Sequence, residues 1–161
     1  MKLNLNRDFS RFLNDPTFPY KVTVCIGDER ILCSGALLAQ QSSVLEKKFR
    51  EDDGVLIFEE MVDVDNKNHG LHECIRFLHG SDVQFTPNDF STILKFSSLY
   101  EITNLFIQAS QWLRNHLDSS KSVEDAIKFL KISNCFHNPE DTERIKSEIL
   151  QFINLLTVLR Y

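Results

Sequence analysis

A β-hairpin that leads directly into helical sequence is encoded by residues 22–49, VTVCIGDERILCSGALLAQQSSVLEKKF. Two short runs rich in β-forming residues, 22–26 and 30–33, flank Gly27 and Asp28. Glycine at the first position of a two-residue loop favours a type II′ turn, because it adopts positive φ there without strain. The pattern therefore predicts two antiparallel strands joined by a tight turn.

Two short helices are predicted immediately after the hairpin. Ser34 is placed to N-cap a helix over 35–39, since a serine side chain can accept a hydrogen bond from a backbone N–H of the first helical turn. Ser43 and Glu46 have the S-x-x-E spacing of a capping box, which predicts a second helix over 44–49.

The remaining elements follow from apolar periodicity. A short apolar run over 55–58 predicts a third strand, and Thr86 followed by Pro87 predicts a helix start, because proline suits the first helical position. Apolar residues at helical spacing predict helices containing 5–14, 71–78, 90–97, 105–117, 126–130 and 145–156.

The fold class follows from this order of elements. A sheet of three or four short strands must lie against helices to bury its apolar face. We therefore predict an α+β fold with a small sheet at one end of a helical cluster. The polar stretch 118–121 predicts a linker, which divides the chain into a domain over 1–118 and a helical extension over 119–161.

Composition narrows the class of protein. The chain has 161 residues, with 18 lysines and arginines against 23 acidic residues and a formal net charge of -5. This balance and the lack of a basic stripe predict no direct contact with nucleic acid, since phosphate binding requires clustered lysine and arginine. No apolar run of about 18 residues and no signal-peptide core are present. We expect an intracellular protein, cytoplasmic or nuclear, without membrane contact.

Free thiols are expected at all four cysteines. Cys25, Cys33, Cys74 and Cys135 lie in apolar runs without paired spacing. Buried thiols in a reducing compartment are the more economical interpretation of such a pattern.

Four potential zinc ligands, His69, His72, Cys74 and His79, lie close together in sequence. On a helix, Cys74 falls on the apolar face, whereas His72 and His79 fall on a different, solvated face about 10 Å apart, too far for one ion. We therefore predict no metal site. Because no G-x-S-x-G, P-loop, G-x-G-x-x-G or H-E-x-x-H motif occurs, we also predict no cofactor and no catalytic residue. A metal- or thiol-dependent enzyme using His72, Cys74 or Cys135 remains the alternative.

The N-terminal segment has a surplus of apolar side chains. Leu5, Phe9, Phe12 and Leu13 recur at helical spacing in a helix with little chain around it. Such a stripe packs either on the hairpin of its own chain or across a two-fold dimer, which is a common way to bury an apolar patch. Both possibilities are left open by the residues themselves.

Residues 22–49 resemble the opening of a BTB/POZ domain. Residues 74–83, CIRFLHGSDV, are similar to the family's Phe-Leu-Tyr-Thr-Gly-x-Val segment, with His79 in place of tyrosine. Residues 90–117 resemble the paired helices that follow, and 122–126, SVEDA, resemble the start of a BACK-like helical pair.

The resemblance implies a non-catalytic protein–protein interaction module that scaffolds partners. Its usual form is a homodimer, in which the N-terminal helix and the first helices after the hairpin make the interface. The positions that this implies here are Phe9, Phe12, Leu13 and Leu37.

Members of the family bind two classes of partner, co-repressors and cullin scaffolds, through motifs whose positions can be matched to this sequence. Repressor members use an aspartate and an arginine to form a charged co-repressor pocket, but Lys21 and Gly35 occupy those positions here. Co-repressor binding of that type is therefore not expected. A dimerisation domain of a transcription or chromatin regulator remains an alternative.

Ubiquitin-ligase adaptors of the family grip a cullin scaffold with an apolar-x-Glu motif. Residues 53–55 stand where that motif would align, and they do not match it. Phe49 and Glu51 have the right residue types but occur earlier, and Tyr100 matches an aromatic residue near the cullin surface. These three are the candidate contacts, and we expect weak or no cullin binding.

Overall fold

The computed structural model describes residues 9, 13–17, 20–58, 68–120, 122–133 and 139–158. These residues form an α+β fold in which a three-stranded sheet lies at one end of a cluster of seven helices, as predicted. The strands are β1 (Lys21–Ile26), β2 (Glu29–Ser34) and β3 (Val55–Ile57). The helices are α1 (Gly35–Gln41), α2 (Ser43–Glu51), α3 (His69–Leu78), α4 (Phe90–Leu99), α5 (Thr103–Ser120), α6 (Val123–Ser133) and α7 (Pro139–Val158).

The predicted hairpin is confirmed. β1 and β2 pair antiparallel in a register that runs from Lys21 opposite Ser34 to Ile26 opposite Glu29. Gly27 has a φ of 58°, and it is the only residue of the two-residue loop with positive φ, as a type II′ turn requires.

The third strand joins the sheet on the other side of β1. β3 runs parallel to β1, with Thr23 opposite Val55 and Cys25 opposite Ile57, so the strand order is β2-β1-β3. A parallel connection needs a crossover, and α1 and α2 supply it. This arrangement makes β3 an edge strand among the described residues.

The core lies between the sheet and the helices. Val22, Val24 and Ile26 of β1 are at most 1% exposed, and they alternate with less buried residues, as expected for a sheet with one covered face. They belong to one apolar cluster that also contains Leu56 of β3 and Ile149 of α7. No helix in the described part of the chain has the length and apolar character to cross a membrane.

The predicted capping box at the start of α2 is wrong. Ser42, not Ser43, is the N-cap, and its Oγ accepts a hydrogen bond from the Leu45 N–H at 3.0 Å. Ser43 is already the first helical residue and is exposed. Glu46 instead forms an ion pair with Arg50 at 2.7 Å one turn later.

The predicted start of α4 is also too early. Pro87 lies in a turn, and the helix begins at Phe90. The turn is closed by Thr86, whose Oγ1 donates to Asp89 Oδ2 at 2.6 Å and accepts from the Asp89 N–H at 3.2 Å. Because these bonds hold the residues after Thr86 in a turn, regular helix starts only after Asp89.

The polar stretch 118–121 is largely helical, because α5 continues to Ser120. Beyond it, Phe129 of α6 packs edge-to-face on Phe90 of α4 with ring centroids 5.0 Å apart. The apolar core is therefore continuous across the predicted linker. The division into 1–118 and 119–161 stays a prediction.

The N-terminal helix predicted over 5–14 falls mostly outside the described residues. Leu13 and Asn14, which are described, lie in a turn, and Asn14 has a φ of 65°. Phe12 lies outside the described residues.

Candidate functional site

Backbone hydrogen bonds hold the N-terminal segment against the sheet and α3. The N–H of Phe9 donates to the carbonyl of His79 at 2.7 Å. Asn14 makes two bonds to Leu32 of β2: its N–H donates to the Leu32 carbonyl at 2.9 Å, and its Oδ1 accepts from the Leu32 N–H at 2.8 Å. Phe9 is therefore held at the end of α3, and Leu13, through its neighbour Asn14, is held beside β2.

His79 connects this segment to α1. Its Nδ1 lies 2.9 Å from the Ile75 carbonyl and donates to it, while its Nε2 accepts from the Ser34 N–H at 3.1 Å. Ser34 in turn caps α1, since its Oγ accepts from the Leu37 N–H at 3.4 Å. A continuous path of hydrogen bonds thus joins Phe9 to Leu37.

The prediction of a solvated His79 is wrong, because its side chain is 1% exposed. Burial lowers the pKa of the imidazole, although the hydrogen bond to the Ile75 carbonyl acts in the opposite direction. The prediction failed because residue 79 caps the end of α3 with φ -100° and ψ 14°, outside helical geometry. Helical periodicity no longer describes where its side chain points.

We call Phe9, Leu13 and Leu37 the N-terminal surface. All three are half-buried in the single chain, and Leu13 packs against the core. The packing of Leu13 against the core of its own chain agrees with the intramolecular alternative for the buried part of its side chain. The rest of the surface of these three residues, together with exposed Ala36 next to Leu37, is accessible to solvent in the single chain.

Gly35, the position where the resemblance to repressor-type BTB domains implies an arginine, is covered by neighbouring side chains. A Cβ added at Gly35 would lie 2.7 Å from the ring of Tyr20 and 3.0 Å from Val22. Tyr20 itself is 52% exposed. No side chain fits at residue 35 unless the Tyr20 ring moves away.

A groove of about 840 Å³ lies between α2, β3 and the end of α4. We call it the β3 groove. Glu51 and Tyr100, two of the three candidate cullin contacts, line it, whereas Phe49 is in the core at 2% exposure. Its other described lining residues are Val44, Lys48, Asp52, Asp53, Val55, Ile57, Phe58 and Leu99.

The rim of the β3 groove is acidic. Glu51 is 4.0 Å from Lys47, and both side chains are largely exposed, so this pair neutralises little charge. Lys48 places its Nζ 5.8 Å from the centroid of the Tyr100 ring. Asp52 and Asp53 form no ion pair within the described ranges.

Asp52, Asp53 and Ile57 were not recognised as site residues from the sequence. In the sequence, the acidic run 51–53 is typical of an ordinary polar turn, and Ile57 belongs to the apolar run that predicts the third strand. The structure leaves Ile57 49% exposed on the edge strand. Only the order of the strands, which the sequence does not specify, reveals that this edge faces a groove.

The four potential zinc ligands do not converge. His69 pairs with Asp89 at 2.9 Å, His72 pairs with Glu29 at 3.0 Å, and His79 uses both of its nitrogens as described above. No group of three or more potential metal ligands occurs in the part of the chain that is described.

The two buried thiols, Cys33 and Cys74, are held in their protonated form. Burial raises the pKa of Cys33 to about 12, and it raises the pKa of fully buried Cys74 well above its ordinary value. A thiol must lose its proton to act as a nucleophile, so neither position favours thiol chemistry. Cys135 lies outside the described residues.

Comparison with known proteins adds no relative. No model of a protein family matches this chain, and no curated protein matches its sequence. The resemblance to BTB/POZ domains therefore stays a prediction that depends on the motifs in residues 22–49 and 74–83.

Proposed function

We propose that this chain is a non-catalytic protein-interaction module of the BTB/POZ type that acts as a homodimer through its N-terminal surface. The observation that carries the proposal is the hydrogen-bonded path from Phe9 through His79 and Ser34 to Leu37. It ties the backbone of Phe9, through His79, to the beginning of α1, although the two segments are far apart in the sequence.

The position of this surface suits self-association. A two-fold dimer uses the same patch on both copies, so the patch must be apolar and rigid enough to match itself. Leu13 and Leu37 are anchored by the caps and backbone bonds of β2 and α1, and each keeps part of its side chain exposed. Ordering such residues beforehand lowers the entropy cost of association.

The order of elements supports the BTB/POZ type. A hairpin, two short helices, a third strand and paired helices occur in the sequence order that the resemblance implies, and α6 and α7 follow as a trailing pair. The shared order supports the proposal without identifying a partner.

Light scattering of the purified chain tests the proposal. We expect twice the chain mass for the unmodified protein and a single chain mass for Leu37→Asp. Ala36→Arg is a second variant, since Ala36 is exposed and its replacement leaves the core intact. Leu150→Asp on α7, where Leu150 is 48% exposed, is the control and should stay dimeric.

A monomeric unmodified protein at a concentration of about 100 μM would contradict the proposal, since even a weak specific dimer forms at that concentration. A dimer that survives Ala36→Arg and Leu37→Asp but separates on Leu150→Asp would place the interface on α7 instead.

A further inference from the structure

The β3 groove and the open edge of β3 are not used by the proposed dimer. We propose that they bind a basic, extended peptide segment of a partner protein, which adds to the sheet as a strand next to β3. The inference deepens the proposed function, because it depends on this chain being an interaction module and names the chemistry of one partner.

The backbone of β3 has hydrogen-bonding groups available on its outer side. The Thr23 N–H donates to the Gly54 carbonyl at 2.8 Å, and the Phe58 N–H donates to the Cys25 carbonyl at 3.1 Å. Because successive residues of a strand alternate in direction, the N–H and carbonyl of Ile57 point away from β1. Neither group of Ile57 has a partner within the described ranges.

An edge of this kind is a template for another strand. Peptides that add to a sheet edge gain affinity from main-chain hydrogen bonds and specificity from pockets for alternate side chains. Here Ile57 presents an apolar, 49% exposed side chain, and the half-buried Val44 and Leu99 line the groove beside it. The groove can therefore accept the apolar side chains of an alternating peptide.

The charge of the groove selects a basic segment. Among the described residues that line it, three carboxylates, those of Glu51, Asp52 and Asp53, stand against one ammonium group, that of Lys48. Asp53 has a φ of 49° and Gly54 a φ of 80°, and this tight turn sets the two aspartates at the beginning of β3. Lysine or arginine near the end of an added strand would meet unpaired carboxylates.

A second copy of this chain fits the edge poorly. The sequence around β3, EDDGVLIFEE over 51–60, has acidic residues before and after the strand. Pairing this edge with itself would bring like charges together, which is unfavourable. Charge complementarity thus favours a foreign basic segment over self-association at this edge.

Fluorescence anisotropy with a defined peptide tests the inference. The probe is a fluorescein-labelled nine-residue peptide of alternating lysine and valine, and the comparison peptide replaces each lysine with glutamate. We expect only the basic peptide to bind, with affinity that falls as salt rises, because exposed charges are screened. Two further peptides carry N-methyl groups on every valine or on every lysine. Because only alternate N–H groups of an added strand face β3, we expect at least one of these two peptides to lose binding.

Two variants connect binding to the groove. The pair Asp52→Asn and Asp53→Asn removes both charges, and asparagine tolerates the positive φ of residue 53. We expect about fivefold weaker binding, in line with two exposed ion pairs. The control pair, Asp28→Asn with Asp82→Asn, removes the same charge from exposed sites elsewhere and should bind like the unmodified protein.

Ile57→Pro is the second test, because proline is tolerated on an edge strand but cannot donate there. Loss of peptide binding in a folded Ile57→Pro variant is expected. Equal binding of the basic and acidic peptides, full binding by both N-methylated peptides, or unchanged binding by the Asp52/Asp53 variant would overturn the inference. Dissociation of a dimer by Ile57→Pro would also overturn it, since a second copy would then occupy the edge.

The same samples separate the two proposals. A monomer that binds the basic peptide contradicts the proposed homodimer and leaves the β3 groove in place. A dimer that ignores the peptide contradicts this inference alone.

Discussion

The Nε2 of His79 lies 3.1 Å from the backbone nitrogen of Ser34, a residue 45 positions earlier in the chain. The other ring nitrogen donates to the Ile75 carbonyl, so both neighbours require the neutral imidazole with its proton on Nδ1. A proton on Nε2 would place an N–H group of the ring opposite the backbone N–H of Ser34, and this hydrogen bond would be lost. The ring thus connects the beginning of α1 to the end of α3 only while it is uncharged.

This contact predicts a loss of stability in mild acid. Burial lowers the pKa of His79 in the folded protein, whereas the unfolded chain has the ordinary value of about 6.5. Below that value the unfolded state binds a proton that the folded state does not, so the free energy of unfolding falls as the pH falls. We expect a slope of up to about 1.4 kcal/mol per pH unit between pH 6.5 and the folded-state pKa.

Urea unfolding at several pH values measures this slope. His79→Gln removes the titrating group and should flatten the acid limb, at the cost of lower stability at neutral pH. An unaltered acid limb in His79→Gln would contradict the assignment.

Ser42→Ala should destabilise the protein by about 1–3 kcal/mol, whereas Ser43→Ala should be nearly neutral. Ser42 is 4% exposed, caps α2, and donates its hydroxyl proton to the Tyr100 carbonyl at 2.5 Å. Ser43 is exposed. Thermal or denaturant unfolding of the two variants distinguishes them, and the reverse order would restore the capping box expected from the S-x-x-E spacing.

The buried thiols should resist alkylation. At pH 8, Cys33 and Cys74 should remain unmodified by iodoacetamide in the folded protein, since burial raises both pKa values and excludes the reagent. Cys25 is half-buried and serves as the internal comparison. Peptide mass spectrometry before and after denaturation measures each site. Rapid native labelling of Cys74 would revive the thiol-enzyme alternative.

Phe129→Ala should destabilise the whole described fold by about 3–5 kcal/mol, because a buried phenylalanine is deleted. Phe129 lies beyond the predicted linker, yet its ring contacts Phe90 and is 6.4 Å from Trp112, the single tryptophan of the chain. Tryptophan fluorescence and circular dichroism should give one shared transition at a lower denaturant concentration.

The control for Phe129→Ala is Ile127→Ala on the same helix, since Ile127 is 44% exposed. Its effect should stay within about 0.5 kcal/mol. Two separate transitions would instead favour the division of the chain at residues 118 and 119.

Binding to a cullin N-terminal domain should be weaker than micromolar, or poorer than about -8 kcal/mol. Glu51 and Tyr100 line the β3 groove, but Phe49 is buried and cannot supply the apolar contact without unpacking the core. Isothermal titration measures the affinity. A tight, stoichiometric complex would contradict this prediction and favour the adaptor alternative.

Local patterns were sufficient for most elements. The hairpin over β1 and β2 and the helices α3 and α5 follow from turn chemistry and apolar periodicity, and these depend on near neighbours in the sequence. Errors occurred where two local options compete. Ser42 and Ser43 are both good caps, and only the contact of Ser42 with Tyr100, far away in sequence, decides between them.

The candidate sites depended more on tertiary structure. The N-terminal segment and the beginning of α1, which carry Phe9 and Leu37, are both hydrogen-bonded to His79, whose burial could not be predicted from a helical pattern that ends at Leu78. The β3 groove depends on the parallel pairing of β3 with β1. Nothing in the local sequence specifies that pairing, because it joins strands separated by two helices.

The double hydrogen bond between Asn14 and Leu32 has a consequence for aggregation. The backbone N–H and the side-chain oxygen of Asn14 take the places that a neighbouring strand would fill, so the outer edge of β2 is already paired at Leu32 within the chain. Growth of a fibril by strand addition requires two complementary unpaired sheet edges on every molecule. Because Leu32 is already paired, a strand that adds to the edge of β3 finds no matching open edge at this position of β2, and we expect further addition through this sheet to be disfavoured.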